Sequence, residues 1–200
     1  TGPGKVLIAG PSLVSDVLYM INHIRYDYDY KILIDGAFSR TSFGVATDAI
    51  IYVVGANYHA SMDQTIQAAS NEYKKLTVEH LPNVYANMIK TDRITVIKKN
   101  HVLHLSVDSV IGRCQALFEY IDDSVKAIYF PKALTDAFVE LWTKNYYHYR
   151  FDIIVQTGIH IQLNQHNLKN LLTLCPHIYA CKPIKVIGIC INPYAPQGYQ

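Results

Sequence analysis

No apolar run in this chain reaches the roughly 20 residues that a membrane-spanning helix needs. The opening Thr1-Gly2-Pro3-Gly4-Lys5 lacks the charged and apolar regions of a signal peptide. No membrane partner is expected, and a cytoplasmic location is. Long runs of one charge are also missing: 18 basic and 16 acidic residues are interleaved, for a net charge of +2. Such a surface offers no basic track for a phosphate backbone, so nucleic acid is not an expected partner. The four cysteines, Cys114, Cys175, Cys181 and Cys190, show no C-x₂-C pair of the kind that holds structural zinc. They are expected as free thiols buried in apolar segments. There is no internal repeat and no low-complexity tract. The first residue is Thr1 rather than methionine, and a β-rich run begins after four residues, as expected of a trimmed or excerpted polypeptide.

Half of the 200 residues are hydrophobic and 17% are charged, which suffices for a real core in one large domain or two small ones. Lys5–Ala9 reads as a strand closed by Gly10-Pro11-Ser12. Leu13 to Ile24 then carries helical apolar spacing at Leu13, Val14, Val17, Leu18, Ile21 and Ile24. Lys31–Ile34 and Ala49–Val54 are further continuous apolar runs, the pattern of parallel strands covered on both faces. Asp63–Leu76 is expected to be a helix, and Arg93–Ile97 with His101–Leu105 a hairpin about Lys99-Asn100. Helices are expected over Val107–Ile121, Thr135–Tyr147 and Asn167–Leu174. Strands are expected over Ala127–Phe130 and Ile153–Val155, with Lys185–Ile191 as a last buried strand. The fold class is therefore α/β, with a soft boundary between Leu81 and Arg93, where Pro82 and Asn83 break the pattern. The tyrosine groups Tyr26/Tyr28/Tyr30 and Tyr146/Tyr147/Tyr149 read as half-buried helix-end residues, with stacking on bases or a partner as the alternative.

Ligands of open parallel sheets bind outside the carboxyl ends of the strands. The residues there are small or polar: Ser12 after the first run, Asp35 and Gly36 after the second, and Gly55, Ala56 and Asn57 after the third. Glycine lets a backbone approach a ligand, and a helix starting near Ser12 would aim amide groups at an anion; ordinary turn chemistry explains the same residues. Lys31-Ile32-Leu33-Ile34-Asp35 has the form of a Walker B strand, whose terminal carboxylate holds Mg²⁺ directly or through water. The matching phosphate loop G-x-x-x-x-G-K-[ST] is missing, since Gly4-Lys5 is followed by Val6 and a strand. His101 and His104, three apart on a strand, would face opposite ways and could not share a metal. His160 and His166 read as members of a polar loop. Ser39 and Ser42 lack the G-x-S-x-G elbow of a hydrolase, and no catalytic residue is assigned.

Ala9-Gly10-Pro11-Ser12, Leu33-Ile34-Asp35-Gly36-Ala37 with Arg40 and Ser42, Val54-Gly55-Ala56, and Ile191-Asn192-Pro193-Tyr194-Ala195-Pro196-Gln197-Gly198-Tyr199 together resemble, in this order, the P-loop reactivase subunit of adenosylcobalamin-dependent lysine aminomutase. The resemblance implies an amino-terminal P-loop domain that binds Mg-ATP, and an aminomutase subunit as partner, restored when its cobalamin is damaged. It implies that Thr1 lies downstream of the Walker A loop and that Asp35 matches the family's acidic strand end. Residues 1–85 would be the remaining part of the P-loop-type sheet, and residues 91–200 a second, small α/β domain. Without the nucleotide-gripping loop, ATP hydrolysis by these residues alone is not expected. The chain would supply half of a nucleotide site and a docking domain, with an exposed strand edge near Lys5–Ala9 or Lys31–Asp35 open to a second copy in a homodimer. The alternative is a self-contained small-molecule-binding module using the crevice at Ser12, Asp35 and Asn57.

Overall fold

β-Branched and aromatic residues dominate the segments that pair, and helical apolar spacing marks those that cover them. The computed structural model describes residues 10–11, 13–27, 31–35, 44, 46–56, 59, 61–90 and 92–194. The chain divides into two compact units, Thr1–Asp48 and Ala49–Gln200. The boundary expected between Leu81 and Arg93 falls inside the second unit.

The first unit contains helix α1 (Val14–Asp27), with Asp16 in its first turn and Arg25 in its last, both matched to the helix dipole. Val17 and Ile21, one turn apart, are buried, with Val14, Ile32, Ile34 and Ala46 packed on them. Arg25 pairs with Asp48 at 2.5 Å. The strand expected over Lys31–Asp35 is a correction: these residues join no ladder. Ile32 and Ile34 are half-buried while Leu33 is 94% exposed. One face of the run packs and the other does not, so a pattern that reads as apolar on both faces is covered on one. The strand expected at Lys5–Ala9 lies outside the described residues.

The second unit comprises β1 (Ile50–Gly55), α2 (Met62–Leu76), β2 (Glu79–His80), α3 (Asn83–Ala86), β3 (Thr95–Lys98), β4 (Val102–His104), α4 (Cys114–Phe118), β5 (Val125–Phe130), β6 (Leu134–Thr135), α5 (Asp136–Asn145), β7 (Asp152–Val155), β8 (Ile161–Gln162), α6 (Gln165–Leu174), β9 (Ile178–Ala180) and β10 (Val186–Asn192). Six strands form the central sheet in the order β2-β9-β7-β5-β3-β4. Strands β2, β9, β7 and β5 run parallel, and β3 is antiparallel to both its neighbours. This is an α/β fold with a mostly parallel sheet, built on the β5-α5-β7-α6-β9 crossover unit. Residues 81–93 connect edge strand β2 to β3 of the same sheet, which is why they do not divide the chain.

Alternation along the strands feeds two cores. One face sends Val96, Ile128, Phe130, Ile153 and Val155 against Leu117, Phe118, Phe138, Trp142, Leu168 and Leu171 of α4, α5 and α6. Aromatic rings fill this layer: Trp142 stacks on Phe151 at 4.1 Å and Phe118 on Tyr146 at 4.3 Å. The Trp142 indole also donates to the carbonyl of Tyr149 at 3.2 Å. The other face carries Ile97, Ala127, Tyr129, Ile154 and Tyr179, covered by Leu81, Tyr85, Met88 and Ile89 from the β2–β3 connection. Tyr85 donates to the Asp152 carboxylate at 2.9 Å, and burial, then that carboxylate, drives its phenol above the ordinary range.

Two further expectations are corrected. The helix over Val107–Ile121 shrinks to Cys114–Phe118. Ahead of it the Ser109 hydroxyl accepts from the amide of Ile111 at 3.2 Å, and Gly112 adopts φ +69°, so a side-chain turn and a left-handed residue replace the first helical turns. The strand expected over Lys185–Ile191 forms as β10, but it is exposed. Among the described residues it pairs, in parallel, with β1 alone, and Ile187, Ile189 and Ile191 lie open. The central sheet has no place for this strand between its members, so the run's apolar character is not matched by burial.

Candidate functional site

The residues expected to form the site fall in separate places. Ser12, Gly36 and Asn57 lie outside the described residues, as do Arg40, Ser39 and Ser42. Asp35 belongs to the first unit, where it ends the Lys31–Asp35 run exposed to solvent. Gly55 and Ala56 belong to the second. Gly55 pairs with Asn192 at the end of β1. The Ala56 amide donates to the carbonyl of Asn192 at 2.8 Å, and Ala56 itself is buried. That amide is committed to the β1–β10 pairing and is not free to donate to a phosphate.

A lone carboxylate such as Asp35 fits one part of a Mg²⁺ site, because this ion takes one or two protein carboxylates and fills its octahedron with water and phosphate oxygens. Among the described residues no group of three or more His, Cys, Asp and Glu side chains converges to hold a metal. His104 instead meets the Thr95 hydroxyl at 3.0 Å, and burial lowers its pKa.

The better-formed polar region is the carboxyl edge of the central sheet, where helices α5 and α6 begin. The Tyr129 hydroxyl, fully buried, donates to the Gln156 side chain at 2.8 Å. Burial first, then Cys181 and Asp92, hold that phenol protonated well above its usual range. The Gln156 carbonyl accepts from the Lys182 amide at 2.9 Å, and the Val155 carbonyl from the Cys181 amide at 3.0 Å, so the β7 and β9 ends are locked side by side. His160 closes a 3₁₀ turn over Gly158–His160 and contacts the Thr157 hydroxyl at 2.9 Å; burial lowers its pKa. His166 sits in the first turn of α6 rather than in a loop.

The starts of α5 and α6 meet through Asp136. One of its carboxylate oxygens accepts from the Asn164 amide at 3.0 Å and from the Asn167 side chain at 2.8 Å. Asn167 also donates to Glu140 at 3.0 Å, and Asn164 caps α6 by accepting from the Asn167 amide. Sequence reasoning missed Tyr129, Gln156, Asp136 and Asn167. The strand-end rule applied to the runs at Ala127–Phe130 and Ile153–Val155 would have led to Gln156 and to the α5 start. None of these groups forms a nucleophile and base pair: the thiols of Cys114, Cys175 and Cys181 are pushed up by burial and stay protonated. No protein-family model, curated protein or solved structure matches this chain.

Proposed function

We propose that the chain is the carboxyl-side part of an ATP-dependent reactivating chaperone for an adenosylcobalamin-dependent aminomutase. In this reading the Lys31–Asp35 run, although it joins no ladder, corresponds to the acidic strand end of a P-loop-type domain without its Walker A loop, and the α/β sheet of the second unit docks on the partner enzyme. The observation that carries it is Asp35 itself, a solvent-exposed carboxylate ending an apolar run whose alternate residues Ile32 and Ile34 are anchored on α1. That arrangement leaves the carboxylate open to a metal-bound nucleotide while the run is held in place. Bound Mg-ATP would supply the phosphate charge and the hydrolysable bond; Asp35 would hold the metal. Occupancy would shift the orientation of the docking unit, and that movement would open the partner.

A thermal-shift titration with Mg-ATP tests this on a gene product that carries an upstream strand–GxxxxGK[ST]–helix segment. Saturation at about 100 times Kd stabilises by about 2.7 kcal/mol, and Asp35→Asn should lose most of that gain. A full response in the Asp35→Asn protein would remove Asp35 from the site.

The alternative class, a self-contained small-molecule-binding module, has one observation in its favour: the polar carboxyl edge around Gln156 and Asp136, where parallel-sheet proteins bind ligands. A ligand of that edge would stabilise the 200-residue chain alone.

A further inference from the structure

The turn that replaces the first half of the expected Val107–Ile121 helix opens a cavity of about 190 Å³ between the end of the β3–β4 hairpin and α4. Its walls are apolar, with Ile94, Leu105, Val110 and Leu117 among them, and its polar lining comes from Ser106, Ser109 and Arg113. Ile94, Val110 and Leu117 form its closed floor, while Leu105 and Val107 are half-buried and Ala116 and Tyr120 are exposed at its open side. The φ of +69° at Gly112 turns the chain back, so that Arg113 starts α4 at the cavity wall.

Charge around the opening favours an anion. Asp108, the acidic group that faces Arg113, is ion-paired with Lys132. Arg113 makes no ion pair of its own with any described residue. Among the described residues Arg113 is therefore the one cation of the lining, and its neighbour Asp108 is already neutralised by Lys132. A guanidinium presents a planar fork of donors that matches a carboxylate oxygen pair. The cavity is smaller than the roughly 300–1,000 Å³ that holds drug-sized ligands. We propose that it binds a small monocarboxylate with an aliphatic or aromatic body, the carboxylate on Arg113 with Ser106 or Ser109, and the apolar part against Leu105 and Tyr120.

Amide chemical shifts of the 200-residue chain, titrated with hexanoate, acetate and 1-hexanol, test this directly. Hexanoate should shift Ile94, Leu105 and Leu117 saturably, with a Kd near about 1 mM. Affinity should rise about fourfold for each methylene added between acetate and hexanoate. Arg113 is exposed, and its side chain makes no capping bond to α4, so Arg113→Gln leaves the fold intact. It should weaken hexanoate at least about tenfold while 1-hexanol is unaffected. Ala116→Phe, at an exposed lining position, should fill the opening and abolish both. Hexanoate shifts that do not saturate, an Arg113→Gln protein that binds hexanoate as well as the parent, or 1-hexanol binding as tightly as hexanoate would each overturn the proposal.

Discussion

Burial pushes the Cys175 thiol up to about 12 from its ordinary 9.0, and this has consequences for reactivity and for stability. The folded chain keeps the neutral thiol where the unfolded chain would ionise it. The stabilisation is complete below pH 9.0 and is lost as pH rises toward about 12. Cys190, by contrast, lies exposed on β10 and open to reagents. A disulfide reagent at mildly alkaline pH should therefore modify Cys190 first and Cys175 only on unfolding; equal rates at the two would refute this assignment. The sequence showed four thiols in apolar surroundings but not which surroundings were covered, because Cys190 sits among isoleucines as apolar as those of any core strand. Asn167 poses the same difficulty in reverse. It is 1% exposed, and its side-chain oxygen has no partner among the described residues, a cost of about 1–3 kcal/mol that nothing in its local sequence announces.

Among the elements, α2 approaches the 3₁₀ turn after β7 so closely that a side chain at Gly158 has no room. A Cβ there would lie 1.8 Å from the carbonyl oxygen of Lys75. Because the obstacle is backbone, either the α2 terminus or the turn must shift. Gly158→Ala should cost at least about 1–3 kcal/mol, seen as a lower urea midpoint; an unchanged midpoint would show that the two elements are not in contact in solution. Helices α1, α2, α5 and α6 and strands β1, β3, β4, β5, β7 and β10 were legible because apolar period and length, or for β4 the hairpin turn beside β3, agreed with the fold. Strands β2, β6, β8 and β9 are two or three residues long, and their pairing is set by distant partners. No local window contains that information. The Lys31–Asp35 and Val107–Gly112 segments had strand-like and helix-like patterns, but one was packed on one side only and the other was diverted by Ser109 and Gly112.

Across the whole molecule the two units have very different interiors. Among the described residues, the first buries Val17 and Ile21, whereas the second buries two layers of side chains on a six-stranded sheet. Hydrogen exchange should accordingly be fast in α1 and slowest in β5 and β7; protection in α1 equal to that in β7 would contradict the division. The candidate site was only partly legible at this scale. The strand-end rule was applied to the first three apolar runs, while the six-stranded sheet, whose carboxyl edge carries the Gln156 and Asp136 hydrogen bonds, is assembled from the later ones. The β1–β10 pairing adds a constraint in time. It joins the first strand of the second unit to its final one, in parallel, and contacts so distant in sequence are slow to form. During synthesis β1 emerges long before β10 exists. Until then the backbone groups of β1 that bond to β10 in the folded chain lack those partners, an open strand edge of the kind that neighbouring nascent chains can add to. The order of synthesis thus leaves β1 without its β10 partner until the last part of the second unit has been made.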